Sequence, residues 1–150
     1  MPVAAASAVS LRSSTEWVLL GAGLMFLLAL ALGVWKYRQM ASADDGLAHP
    51  YVDTAHRAAL LYSFATLLLA AFVELSGWSE AVNLVAALAV IAFFIGAIAG
   101  YAYHGARRDT TNQFVEPVVP GLHGYMWALI VVEITGTAVL VAGFVDARLL

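Results

Sequence analysis

The chain has 150 residues, of which 63% are hydrophobic and 11% charged, with a net charge of −3 and no cysteine. A soluble domain is about half apolar and about a quarter charged, so this composition points to a bilayer as solvent, and the length allows one domain. The acidic balance argues against a nucleic-acid partner, which needs a basic face, and the missing cysteines exclude disulfides, thiolate metal sites and a thiol nucleophile.

Residues Met1 to Ser14 read as a flexible tail with Arg12 as its only charge. Ala41-Ser42-Ala43 has the composition of a signal-peptidase site. It lies beyond Lys36 and Arg38, so the first helix is expected to stay on the protein.

The first span is expected from Trp17 to Trp35, an uncharged run long enough for a hydrocarbon core of about 30 Å. Ser13-x-x-Glu16 is placed as a capping box, and the two tryptophans as interfacial anchors. Lys36, Tyr37 and Arg38 stop the run. A polar loop follows from Gln39 to Tyr51, with Asp53 or Thr54 as the expected cap of the next helix.

The second span covers His56 to Ser76. At about 100° per residue, His56, Ser63 and Glu74 share a line, with Ala59, Thr66 and Ala70 on the same side. Lipid satisfies neither hydroxyls nor charge, so this small, polar stripe should face protein. Glu74 lies near the membrane edge, within reach of water. Gly77-Trp78-Ser79 makes a tight turn into the third span, Glu80 to Tyr103. There Asn83 and Tyr101 share a face, and Gly96-x-x-x-Gly100 runs on to His104 as a line of small residues suited to close helix approach.

A second polar loop, Gly105 to Pro120, is kept out of helix at its end by Pro117 and Pro120. The fourth span runs from Leu122 to Val145, with His123, Met126, Ile130, Glu133 and Thr137 within one arc. The expected fold is therefore all-α, a four-helix up-down-up-down transmembrane bundle forming a single domain. Both long loops share one side, with Lys36, Arg38, Arg57, Arg107 and Arg108 against Arg12 and Arg148 on the other. The positive-inside rule puts the loops in the cytoplasm and both termini outside, in a cell inner membrane.

His56, His104 and His123 are expected at similar depth on three helices near the cytoplasmic interface. Such imidazoles serve either as metal or haem ligands or as hydrogen-bonding groups for headgroups, water and loop carbonyls. His56 is the best ligand candidate because it belongs to the stripe. His49, in the loop, is expected to be solvated. Glu133 sits at mid-membrane, where an ionised carboxylate is costly and usually functional. The alternative is a neutral Glu133 hydrogen-bonded across helices to Thr66 or Ser63. Tyr101 and Tyr103 are either belt residues or hydrogen-bond donors to a substrate. Arg57, Arg107 and Arg108 set topology, or bind lipid phosphate or haem propionates.

The Ala55-His56 pair with the apolar run Ala58-Ala59-Leu60, together with Asn112-Gln113-Phe114 after the third span, resembles the hydroxylaminobenzene mutase and styrene oxide isomerase group. Where that family has Asn-Gly shortly after its histidine, this chain has Tyr62-Ser63. The resemblance implies a membrane isomerase for a small hydrophobic epoxide or hydroxylamine. It implies a haem b between subunits of a homo-oligomer, with His56 as axial ligand to an iron acting as Lewis acid. It further implies a substrate-orienting tyrosine at Tyr101 or Tyr103, and it adds Asn112 to the catalytic candidates beside Glu133. Arg57, His104 and His123 are the other cofactor-binding candidates. Two further readings stay open: a cytochrome-like, quinone-interacting subunit with two of the three histidines on one haem, and a non-catalytic accessory or scaffold protein.

Overall fold

A computed structural model describes residues 10–115 and 118–150. Most of the expected N-terminal tail and Pro117 lie outside the described residues. Four helices follow one another: α1 (Ser13–Ser42), α2 (Pro50–Leu75), α3 (Glu80–Arg107) and α4 (Leu122–Arg148). Each is long and apolar enough to cross a membrane, and together they form a four-helix bundle with no strand among the described residues.

α1 starts before its apolar run, because its first turn is satisfied by groups far away in sequence. α1 begins at Ser13, with Arg12 as N-cap and no side-chain cap bond, so the capping box at Ser13 does not form. Carboxylates from the opposite turn take its place. Glu74 Oε2 accepts from the Arg12 backbone N–H at 3.2 Å and from the Thr15 hydroxyl at 2.6 Å, and Glu80 Oε2 accepts from the Ser14 N–H at 3.0 Å. These carboxylates sit where the helix dipole is positive and the first N–H groups lack partners. Glu74 is thus a cap for α1 rather than a side chain reaching for water. The Arg12 guanidinium closes the clasp from the other side, donating to the Ser76 carbonyl at 2.8 Å and the Val73 carbonyl at 3.3 Å.

α2 is capped by neither Asp53 nor Thr54. Pro50 occupies its first turn, where a missing N–H costs nothing, and the ring of His49 accepts from the Tyr51 N–H at 3.3 Å. His49 is therefore a cap rather than a solvated loop residue. Asp53 turns aside to Lys36 and Arg57, and Thr54 Oγ1 returns to the Pro50 carbonyl. At the other turn, Ser79 caps α3, and the Gly77 N–H donates to the Gly143 carbonyl at 2.9 Å, tying α4 to the α2–α3 turn.

The bundle is not a square. α2 and α3 pack together in the middle, α1 leans on both from one side and α4 on both from the other, and among the described residues α1 and α4 do not meet. The stripe on α2 faces protein as its periodicity predicts: Ala59, Ser63, Thr66 and Ala70 are buried. Packing between membrane helices relies on close van der Waals approach, which favours small residues. Here that approach falls at Gly136, where an added Cβ would stand 2.6 Å from Val90 Cγ2 and 3.1 Å from the Ala86 carbonyl, and at Gly143 against Ser76 and Trp78. It does not run along the whole Gly96–Gly100 line. Nothing lies within 4 Å of a Cβ at Gly100, and the neighbour of Gly96 is the Tyr125 hydroxyl. α4 is pinned at its C-terminal half and stands away from α3 toward its start.

Candidate functional site

The opening between α3 and the start of α4 is a cleft of about 470 Å³. Gly96, Ala97 and Gly100 form a floor with almost no side chains, and Tyr101, Tyr103, His104, Tyr125 and Gln113 surround it. Met126 and Leu129 close the apolar wall, and Val119 to Leu122 lie at the rim. A mostly apolar slot with a few polar groups fits a small hydrophobic molecule.

The loop over the cleft is held by the Tyr51 hydroxyl, which accepts from the Gln113 N–H at 2.6 Å. Tyr51 stacks on Tyr101 at 5.9 Å and on His104 at 5.4 Å between ring centroids. Asn112 serves the loop itself, its Oδ1 accepting from the Phe114 N–H at 3.0 Å. This makes it a turn former that the structure does not bring among the cleft residues.

His104 is the most closely constrained polar group at the cleft. Its Nδ1 lies 2.8 Å from Asp109 Oδ1, and Arg107 Nε donates to the other Asp109 oxygen at 3.2 Å. The His104 hydrogen bond holds the Asp109 carboxyl below its ordinary value, with Arg107 adding to the effect. An ionised carboxylate only accepts, so Nδ1 carries a proton, and in the neutral ring Nε2 holds the lone pair. The contact depends on the helix end. Arg108 adopts φ 53°, the left-handed region, and its N–H donates to the His104 carbonyl at 2.8 Å. This turn folds Asp109 back over the ring. A non-glycine residue there costs about 1 kcal/mol.

His56 lies in the other seam, between α1 and α2. Its Nδ1 is 2.9 Å from the Ala29 carbonyl, and its ring rests against Gly33, where a Cβ would stand 2.9 Å from Cε1. A carbonyl only accepts, so here too Nδ1 is the donor, and in the neutral ring Nε2 keeps the lone pair. A metal-bound histidine usually has this second bond to a backbone carbonyl or carboxylate. His56 has this arrangement on its Nδ1, as a single imidazole. Arg57 beside it is exposed, 3.5 Å from Asp53. His123 is exposed, with Phe114 its ring neighbour at 6.3 Å. The three histidines expected at one depth thus have three separate sets of neighbours.

Glu133 lies part-buried on α4. It does not bond to Ser63 or Thr66. Those hydroxyls return to carbonyls of their own helix, Leu60 at 2.7 Å and Tyr62 at 2.8 Å, as serine and threonine in membrane helices often do. Glu133 Oε1 is buried with no hydrogen-bond partner among the described residues.

Tyr51, Gln113 and Tyr125 were not among the sequence-based candidates. Tyr125 had a signal: it precedes the buried positions Leu129, Gly136, Leu140 and Gly143 by helical spacing, which puts it on the inward line of α4. Gln113 was marked only as part of the Asn112-Gln113-Phe114 string, and Tyr51 had no signal, because only the folded loop brings the two together. No family model matches the chain, and comparison with curated proteins and with solved structures finds no significant match either.

Proposed function

We propose that this chain is a membrane-embedded isomerase for a small hydrophobic epoxide or hydroxylamine, working as a homo-oligomer with haem b held by Nε2 of His56. The observation that carries this reading is the His56 imidazole, tethered through Nδ1 to the Ala29 carbonyl and seated on Gly33, which leaves Nε2 the lone pair of the neutral ring. A bound haem b would supply a Lewis-acidic iron for a substrate oxygen. The chain's own part is to fix the imidazole tautomer, to offer Arg57 to a propionate, and to orient substrate with Tyr101 or Tyr103.

The His56 seam and the tyrosine cleft lie on different sides of the α2–α3 pair, so one chain does not present both to one molecule. In a homo-oligomer a neighbouring copy would have to bring the cleft of one subunit to the His56 face of the next, and this is why the reading includes an oligomer. The cytochrome-like alternative needs two facing imidazoles, and among the described residues His56, His104 and His123 have different hydrogen-bond and ring partners. The charge bias of the loops supports cytoplasmic loops and external termini.

The test is an absorption spectrum of the detergent-purified, haem-supplemented protein, before and after dithionite, for wild type and His56→Ala. A Soret band lost only in the variant, followed by turnover of an aryl epoxide or arylhydroxylamine, is the expected result. A chain that takes up no haem, or takes it up equally without His56, overturns the reading.

A further inference from the structure

We propose that His104 and Asp109 form a general-base dyad serving the α3–α4 cleft, with His104 the group that takes the proton and Asp109 the group that positions it. This site is separate from the His56 seam and does not rest on haem being bound there.

Four observations converge. The imidazole lines the cleft. Its side chain is only 13% exposed, and it is held between Tyr51 and Tyr103, each with its ring centroid 5.4 Å away. Nδ1 is committed to a carboxylate at 2.8 Å, which leaves Nε2 for a molecule in the cleft. The carboxylate is braced by Arg107 and delivered by the left-handed turn at Arg108. An imidazole whose far nitrogen donates to a buttressed carboxylate has a fixed tautomer, and its cation is stabilised when it forms.

The chemistry this allows is relocation of a proton within one bound molecule. A C–H or O–H bond of the ligand breaks as the Nε2–H bond forms. Asp109 balances the imidazolium, and the same proton is returned to another atom of the ligand or to water. No oxidant, reductant or second substrate enters. The groups facing His104 are Tyr51 from α2, Tyr101, Tyr103 and Arg107 from its own helix, Asp109 from the loop and Tyr125 from α4.

The probe is 5-nitrobenzisoxazole, a small neutral aromatic whose ring opens once a base removes its single acidic C–H. The proton goes to the base and on to water, the N–O bond breaks, and the electron pair ends on a phenolate whose colour is followed. Purified protein in detergent is expected to accelerate ring opening over empty micelles, and His104→Gln to remove about 100-fold of the rate or more. Asp109→Asn keeps a bonding partner for the ring but removes the charge, so kcat should fall while KM holds, and Asp109→Glu should restore part of it. Gly100→Leu, which projects into the open slot, should raise KM. Wild-type protein no faster than micelles, or His104→Gln as fast as wild type, overturns the proposal. Should His104→Gln fail to fold, an undiminished kcat in Asp109→Asn overturns it equally. None of these results depends on haem uptake or epoxide turnover, so this proposal and the isomerase reading fail independently.

Discussion

The imidazole of His56 occupies the space that a side chain at residue 33 would fill. A Cβ on Gly33 would stand 2.9 Å from Cε1 and 3.2 Å from Nδ1 of that ring. Gly33→Ala therefore forces the ring to move, and its bond to the Ala29 carbonyl is the first thing lost. One neutral hydrogen bond is worth about 1 kcal/mol net, so the variant should fold with a slightly lower melting temperature. The histidine tautomer should no longer be fixed, which two-bond ¹H–¹⁵N spectra of histidine-labelled protein would report. A His56 resonance unchanged in Gly33→Ala would contradict the packing described.

Glycines on α4 separate into two classes that stability measurements can tell apart. At Gly136 an added Cβ meets Val90 and the backbone carbonyl of Ala86, neither of which has room to retreat. Forcing a methyl into such a contact typically costs about 1–3 kcal/mol. At Gly124 nothing lies within 4 Å, and replacing a helical glycine by alanine gains up to about 1 kcal/mol. Unfolding in mixed micelles should therefore show Gly136→Ala less stable than wild type and Gly124→Ala equal to it or more stable. The same order would confirm that α4 is held at its middle and free near its start, the geometry that opens the cleft.

How much of this was legible beforehand follows from which forces act locally. The four spans were readable because a bilayer demands about 20 apolar residues in a row, and the polar stripe on α2 because helical periodicity puts Ala59, Ser63, Thr66 and Ala70 on one line. The helix ends were not. Ser13 to Thr15 join α1 because Glu74 and Glu80, some 60 residues away, accept from them, and hydropathy carries no trace of such a partner. The close approach expected along the Gly96–Gly100 line is met at Gly96, by the Tyr125 side chain of α4, and not at Gly100, because small residues mark either a helix contact or an empty floor. Which of the two depends on where α4 is pinned, at Gly136 and Gly143. His104 was a candidate from its residue type, its expected depth and its place on the Gly96–Gly100 line. Its pairing with Asp109 turns on a left-handed arginine, a conformation usually signalled by glycine or asparagine and here by neither.

Asp109 also gives the cleft a defined acid limit. Its carboxyl is held below the ordinary value, first by the hydrogen bond from His104 and then by the charges beside it. A group whose folded value is depressed contributes stability that is fully present above the unfolded value, about 3.9 for aspartate, and is lost as pH falls through the folded one. The His104–Asp109 contact should therefore be insensitive to acidification from neutrality down to about pH 4 and weaken below it. Tyr51 and Tyr103 flank the ring, so the near-ultraviolet circular dichroism of tyrosine is the natural reporter, read against a far-ultraviolet signal that stays constant while the four helices persist. Asp109→Asn has no carboxyl to protonate, and its tyrosine signal should run flat across the same range. If wild type loses this signal well above pH 4, or if Asp109→Asn loses it in parallel, Asp109 is not the group that holds His104 in place.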